Sequence, residues 1–307
     1  MTASNTLARF STPGNTALIL RVGLGLIFII GGLWKLSRLL SPDHSLAIVS
    51  KYTASNGYIN QFFQDYLFTG WLGDIIGPWG FLTTLSTFEL LSGVALVLGL
   101  MVKPLALIYM FLLWTFIVAL PVHTVPGEAA ASATFQAPAI LVQIRDIALS
   151  GLMATLFMLG AGRASVDARI FGNIAISKQL NWNTLGLLTR LSMAAPLLVG
   201  GLFASTGAVP TFSTPGWLLL IGSLLLIAGI GVRAAGILVV MIMLWRMGNG
   251  ISLDASLLDI VNSFKREFAF LAAGLILAML GGGDKFTPRD LQMRVSAYLE
   301  ARKLQSA

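Results

Sequence analysis

Ala17-Leu-Ile-Leu-Arg21-Val-Gly-Leu-Gly-Leu-Ile-Phe-Ile-Ile-Gly31-Gly32-Leu-Trp34-Lys35-Leu36 is a continuous apolar run with only two charges, and it returns in altered form as Arg190-Leu-Ser-Met-Ala-Ala-Pro-Leu-Leu-Val-Gly200-Gly201-Leu202. A helix needs about 20 such residues to cross a bilayer, and the first run supplies them. The Arg and the Gly pair keep their spacing in the second. The solvent is therefore lipid, and the chain is built from two related halves.

Working outward, six further apolar blocks follow the same rule: Phe81 to Leu100, Pro104 to Val122, Ala137 to Leu159, Trp217 to Gly231, Ala234 to Met247 and Phe268 to Gly282. The fifth block in chain order runs from Leu185 to Ala204. The sixth and seventh are short and are expected to thin the bilayer locally or to be completed by neighbours. The runs are continuous rather than alternating, so backbone hydrogen bonds must close within helices and not around a barrel. Composition agrees: 56% of the residues are hydrophobic, 11% are charged, and mean hydropathy is +0.83, which excludes a soluble domain of this length. The expected fold class is all-α, a polytopic membrane protein with about eight transmembrane helices arranged as two parallel-repeat four-helix bundles.

Two more correspondences carry the duplication. Gly99-Leu-Met-Val-Lys103-Pro, between the second and third helices, returns as Gly229-Ile-Gly-Val-Arg233-Ala. The fourth and eighth helices begin on the charge pairs Arg145-Asp146 and Arg266-Glu267 and end on Gly160-Ala-Gly162 and Gly281-Gly-Gly283. Each half holds an even number of helices, so both enter the membrane in the same direction. The expected organisation is a first bundle over residues 1–162 with an outer loop over 41–80, a cytoplasmic linker over 163–183, a diverged second bundle over 184–284 and a cytoplasmic amphipathic tail over 285–307. The loop's Tyr52, Tyr58, Phe62, Phe63, Tyr66, Trp71 and Trp79 suit an interfacial cap on the first bundle. The tail carries Arg289, Arg294, Arg302 and Lys303, as expected of a helix resting on anionic lipid.

With eight crossings drawn, Lys and Arg collect on one side, which places both termini in the cytoplasm. The formal charge of +7 is then a topology signal and an affinity for lipid headgroups, with no call for nucleic acid. The first run lacks a small-residue cleavage site and reads as a retained helix. Cysteine is absent, which removes thiol chemistry, thiolate metal sites and covalent haem attachment. His44 and His123 read as interfacial polar residues, so neither metal nor haem is expected.

The residues able to do chemistry lie mostly near one depth. Glu89 sits midway along the second helix, where a lone carboxylate must be protonated or paired. Arg145 and Asp146 occupy the first turns of the fourth helix, and Arg266 and Glu267 the same depth in the eighth. Trp34, Lys35, Gln143, Arg246 and Asn249 are expected near them, in a polar pocket open to the outer face. On a functional reading Arg145, Arg266 and Lys35 attract an anion or hydrogen-bond a quinone carbonyl, while Glu89 or Asp146 moves protons. On a structural reading Arg145 pairs with Glu89 or another acid, and the cluster locks the halves together. The glycines of the first and fifth helices read as close-packing faces, and the terminal glycine runs as helix C-caps.

Gly31-Gly32-Leu-Trp34-Lys35 after the first-helix Arg, Phe88-Glu89-Leu-Leu-Ser92-Gly93-Val-Ala-Leu-Val-Leu-Gly99, and Gly160-Ala-Gly162-Arg-Ala-Ser165-Val-Asp167 resemble the DoxX/DoxD family, in particular DoxD, the small membrane subunit of thiosulfate:quinone oxidoreductase. The likeness covers the first half; the second has no counterpart of Glu89 and reads Gly283-Asp-Lys-Phe-Thr-Pro288 where the family has its Ser and Asp. What the resemblance implies is a multi-pass protein of a prokaryotic inner membrane, taking part in quinone-linked oxidation of a small anion such as thiosulfate. Read from the residues themselves, without the family, Glu89, Arg145 and Asp146 would be catalytic, and Lys35, Trp34, Gln143, Arg246, Arg266 and Glu267 would bind substrate or quinone. A bound quinone, the quinone pool, membrane lipid and a redox partner subunit would be its company. The alternatives are a non-catalytic subunit anchoring a respiratory complex, and a small-molecule carrier. Against the carrier stands the shortage of charge and of broken helices at the midplane.

Overall fold

The computed structural model describes residues 13–54, 59–120, 139–172, 181–204, 212–252 and 254–305. His123 and Tyr58 lie outside them. All described secondary structure of any length is helical. The elements are α1 (Pro13–Leu39), α2 (Pro42–Thr53), α3 (Gln61–Phe68), α4 (Trp71–Leu98), α5 (Val102–Ala119), α6 (Ala139–Leu159), α7 (Val166–Phe171), α8 (Trp182–Leu202), α9 (Gly216–Ala228), α10 (Val232–Asn249), α11 (Leu257–Ser263), α12 (Glu267–Leu280) and α13 (Pro288–Gln305).

Helices stand at all eight apolar blocks. Six of them, α1, α4, α5, α6, α8 and α10, are long and apolar enough to cross a membrane. The seventh block is longer than the sequence suggests, because the helix continues past Met247 to Asn249. The two short ones are α9, of 13 residues, and α12, of 14, which at 1.5 Å per residue reach about 20 Å against the roughly 30 Å of a hydrocarbon layer. A turn at residues 264–266 delays the start of α12, and Gly281, at φ 74°, stops it. The helix of the second block begins early, at Trp71, but breaks at Gly77 (φ 68°, ψ 165°). Pro78 follows, and it disfavours helical geometry in the residue before it.

One hydrophobic core runs through both halves. At its centre α6 packs on α8, and α12 on α1, while α4, α5, α9 and α10 stand outside α1, α6, α8 and α12 in turn. Burial follows that order. In their most apolar windows α1, α6 and α8 are 67%, 56% and 61% buried, against 33% for α4, α5 and α10. The outer faces of these flanking helices carry exposed Leu91, Phe111, Trp114, Leu224, Met241 and Trp245, surfaces suited to lipid contact.

Lipid offers no hydrophobic drive between helices, so close backbone approach must supply the packing energy. Gly25 of α1 and Gly93 of α4 provide it: a Cβ at Gly93 would stand 2.8 Å from Ile29 N and 2.9 Å from Gly25 O. Gly32 does the same about two turns away against Ser86 and Leu90, and Gly23 faces α12. Gly236 and Gly274 make the matching approach between α10 and α12.

At the end of the bundle away from residues 41–80, two arginines are fully buried. Arg21 donates from Nη2 to Ala164 O at 2.6 Å. Arg190 donates from Nη2 to Lys285 O at 2.6 Å and from Nη1 to Leu226 O at 3.1 Å. Each thereby meets the loop after α6 or α12, and the last carbonyls of α9 are satisfied by a cation, as a helix C-terminus favours. Gly99 and Gly229 leave room for these guanidiniums, since a Cβ at either would collide with its arginine. In the first half Asp167 also accepts from Met101 N (2.8 Å) and Val102 N (3.0 Å), capping α5. Ser165 caps α7 through Ala168 N.

The segment over 41–80 is helical. Asn60 ties α3 to the end of α5, its N–H donating to Ala119 O at 2.7 Å and its Nδ2 to Val118 O at 2.8 Å. Trp79 donates to Leu39 O at 3.0 Å. Phe62, Tyr66 and Trp71 are exposed, whereas Phe68, Ile48 and Ile59 are buried against the ends of α4 and α5. The tail helix α13 is exposed along almost its whole length.

Gly93→Leu is expected to force α1 and α4 apart and to cost at least about 1–3 kcal/mol. Thermal unfolding of the purified protein in detergent measures this; a midpoint equal to wild type would remove the Gly25–Gly93 approach as a source of stability.

Candidate functional site

A band of ionisable side chains crosses the bundle at the end covered by α2 and α3. Lys35 of α1 and Glu89 of α4 meet at 2.5 Å, with side-chain exposures of 15% and 6%. The pair forms because Gly32, three residues before Lys35, brings α1 against α4 at Ser86 and Leu90. Glu89 is therefore the buried carboxylate that its depth requires to be paired.

Beside it lies an exchange between α6 and α12. Arg145 Nη2 donates to Glu267 Oε1 at 3.3 Å, and Arg266 Nε to Asp146 Oδ1 at 3.1 Å. Each arginine takes the carboxylate that follows the other, the self-complementary pattern of a two-fold contact. Arg246, from the end of α10, reaches Glu267 Oε1 at 4.0 Å. The Arg145 guanidinium also lies 5.2 Å from the centre of the Phe212 ring. Even so, Arg145 Nε and Glu267 Oε2 are buried and have no hydrogen-bond partner among the described residues.

Trp34 and Gln143 stand apart from this band. Trp34 Nε1 donates to Asp259 Oδ1 of α11 at 2.7 Å, and Arg38 joins the same carboxylate at 2.9 Å. Gln143 turns toward α5 and donates to Ile117 O at 3.0 Å. Asn249 and His44 are exposed. Asp146 and Glu267, by contrast, are among the most deeply buried carboxylates described.

Four residues join the site that the sequence reading did not assign to it. Lys265, in the turn before α12, donates from Nζ to Asn262 Oδ1 at 2.7 Å and rests against Gly31; a Cβ there would be 3.2 Å from Nζ. Tyr52 of α2 comes within electrostatic reach of Glu89 and Arg266. Ser92 and Tyr109 continue the polar thread from Glu89 into the core, their hydroxyls 2.5 Å apart and the Tyr109 ring stacked on Phe28. Ser92 and Glu89 share one face of α4 at i, i+3, a spacing that was readable. Tyr109 gave no signal, being one aromatic in an apolar run.

With this geometry in view, the comparison with known families becomes specific. Residues 16–124 match the DoxX family model. No curated protein and no solved structure matches the chain. The DoxX match takes in Trp34, Lys35, Glu89, Ser92 and Tyr109. Arg145, Asp146, Arg246, Lys265, Arg266 and Glu267 lie beyond it, so the DoxX segment supplies the Lys35–Glu89 pair and the rest of the chain supplies the arginine exchange. DoxX proteins are a membrane family associated with redox and quinone-related functions, and the match covers 109 of the 307 residues.

Removing one partner of a buried ion pair leaves the other charge uncompensated, at about 3–5 kcal/mol. Glu267→Gln is accordingly expected to lower stability sharply, and the swap Arg145→Glu with Glu267→Arg to recover a good part of it. A double-mutant cycle on thermal stability with no coupling between the positions would sink the exchange.

At the rim, hydrogen bonds from Ser256, Trp34 and Arg38 hold the Asp259 carboxyl down at about 2. A carboxyl depressed in the folded state contributes stability above its ordinary value near 4, and that stability is lost as pH falls toward about 2. The docking of α11 on α1 should loosen in that window. Protection of α11 amides, taken relative to the intrinsic exchange rate at each pH, that falls on acidification in wild type and is already low and flat in Asp259→Asn checks it; identical profiles would refute it.

Proposed function

We propose that this chain is the membrane subunit of a quinone-linked redox system, binding a small inorganic dianion of the thiosulfate class at the band of charge between its halves. The observation that carries the reading is an imbalance. Among the described residues Arg145 and Arg246 share the one carboxylate of Glu267, and Lys265 meets the neutral Asn262. Uncompensated charge is costly in a low-dielectric setting, and two excess cations are neutralised by one dianion. The positive-inside distribution supports an outer-face location for this band, where such an anion would arrive from water.

Quinone binding fits the same residues. A quinone carbonyl accepts hydrogen bonds, and Arg145 Nε is a buried donor with nothing to donate to among the described residues. Arg145 would hold the carbonyl, and Phe212, already under the guanidinium, would line the ring's approach. A bound quinone supplies an acceptor for two electrons and two protons. Asp146 and Glu89 are the carboxylates placed to hand on protons, and Ser92 and Tyr109 extend hydroxyls inward from Glu89. The α2–α3 cap limits water above the pair.

Duplication explains why one band serves one site. The matched spacings set Lys35, Glu89, Ser92 and Tyr109 of the first half against Ala204, Leu219, Gly222 and Val239 of the second. The second half has lost the polar thread and kept the arginine-acid pair, so it acts as scaffold and cation donor. Arg21 with Ala164 and Arg190 with Lys285 repeat one arrangement at the opposite end, which supports the parallel repeat.

The reciprocal Arg–acid exchange also favours a second reading, a non-catalytic subunit that anchors a larger redox complex. Gentle purification of the native protein, with identification of co-purifying proteins and quinones and an assay of thiosulfate-dependent quinone reduction, separates the two. Under the first reading reduction falls by at least about 100-fold in Arg145→Ala or Glu89→Gln while the protein stays assembled. An inactive protein held in a stoichiometric complex with other respiratory subunits overturns it in favour of the anchor.

A further inference from the structure

We propose that Lys265 is the anion-recognising residue of this site. The proposal deepens the dianion reading above and rests on it. Arg145, Arg246, Arg266 and Lys35 each have a carboxylate within 4.0 Å. The Lys265 ammonium has one neutral acceptor, Asn262 Oδ1, and an ammonium carries three donors. Among the described residues of the band, the cation left over to receive a ligand is therefore this one.

The backbone around Lys265 is arranged to admit it. Gly31 of α1 presents no side chain at the point where Nζ rests, so the stem of Lys265 lies along α1 instead of being displaced. Gly31 and Gly32 then have separate tasks. Gly32 brings α4 close to α1, and Gly31 seats a lysine from the second half beside the Lys35–Glu89 pair of the first. The matched spacing from the fourth helix sets Ile144 against Lys265, so the lysine is an addition of the second half and no part of the repeated packing.

The charged groups facing it come from every neighbouring element: Lys35 on α1, Glu89 on α4, Asp146 on α6 and Arg266 in its own turn. Tyr52 of the cap lies over Glu89 and Arg266. Burial pushes the Lys265 ammonium down to about 7; Arg266 and Lys35 push the same way, while Glu89 and Asp146 oppose them. A dianion prefers the protonated amine. Affinity is therefore full below about pH 7 and falls as pH rises past it, until the higher pKa of the bound form is reached. Arginine at the same place would stay charged throughout.

The test uses the full-length protein in detergent or nanodiscs, with calorimetric binding of sulfate and of thiosulfate from about pH 6 to about pH 9 at fixed ionic strength. Neither anion titrates in that range. Wild type is expected to lose affinity about tenfold per pH unit above about pH 7. Lys265→Arg should keep binding with a flat profile. Lys265→Met should bind at least about tenfold more weakly at pH 6, also with a flat profile. Its thermal midpoint should equal or exceed that of wild type, because a buried charge has been removed. A wild-type profile that is flat, a Lys265→Arg profile that keeps the wild-type slope, or wild type that binds neither anion overturns the assignment. Binding that behaves as expected in a protein that reduces no quinone leaves Lys265 in place and removes the redox reading instead.

Discussion

Arg145 and Arg266 each take the carboxylate that follows the other on the facing helix, and the rest of the bundle is organised around that exchange. Four charges at this depth are tolerable only in pairs, because desolvation of each exceeds what a single hydrogen bond returns. Pairing within one helix is not geometrically open to an adjacent Arg and acid, whose side chains leave the helix about 100° apart. The partners must come from another helix, and that helix must present the same dipeptide at the same height. This obliges α6 and α12 to stay in register, and with them α1 and α8, which pack on one or the other. A subset of close helix contacts, at Gly25–Gly93 and Gly236–Gly274, then docks the flanking helices onto this centre.

The apolar runs, their helical form and the twin charge pairs were legible in the sequence, because each rests on length or spacing along a single element. The partner exchange was not. Spacing says that Arg145 and Arg266 share a depth, and it does not say which helix faces which; nothing in the chain distinguishes Glu89 from Glu267 as the acid for Arg145. Position in the membrane also set the limits of helix length. Residues Arg246 to Asn249 remain helical beyond the apolar run, since α10 lies outside the core and its polar end is free to extend. Phe264 to Arg266 turn instead, since they enter the charge band. Trp34 and Gln143 have the depth expected of them and still miss the site, because a helix offers several faces at one height. Lys265 and Tyr52 are in it from a turn and from the cap, where no periodicity points.

The matched sequence segments differ in what they bury. Where the first half places Glu89, Ser92 and Tyr109, the second has Leu219, Gly222 and Val239, of which the two larger are fully buried. Apolar side chains in lipid-facing proteins cost nothing in desolvation, so polar groups on one side only are maintained against that gradient and not by it. A purely structural lock would be served by the α6–α12 exchange alone, which is already symmetrical. The Lys35–Glu89 pair adds nothing to that symmetry, and the unpaired Arg145 Nε and Glu267 Oε2 weaken it. Polar atoms left unmatched inside an otherwise complete ion-pair network are a cost to the fold. Such a cost is accounted for where a ligand supplies a missing partner: under the proposed function a quinone carbonyl would accept from Arg145 Nε, and a dianion would meet Lys265.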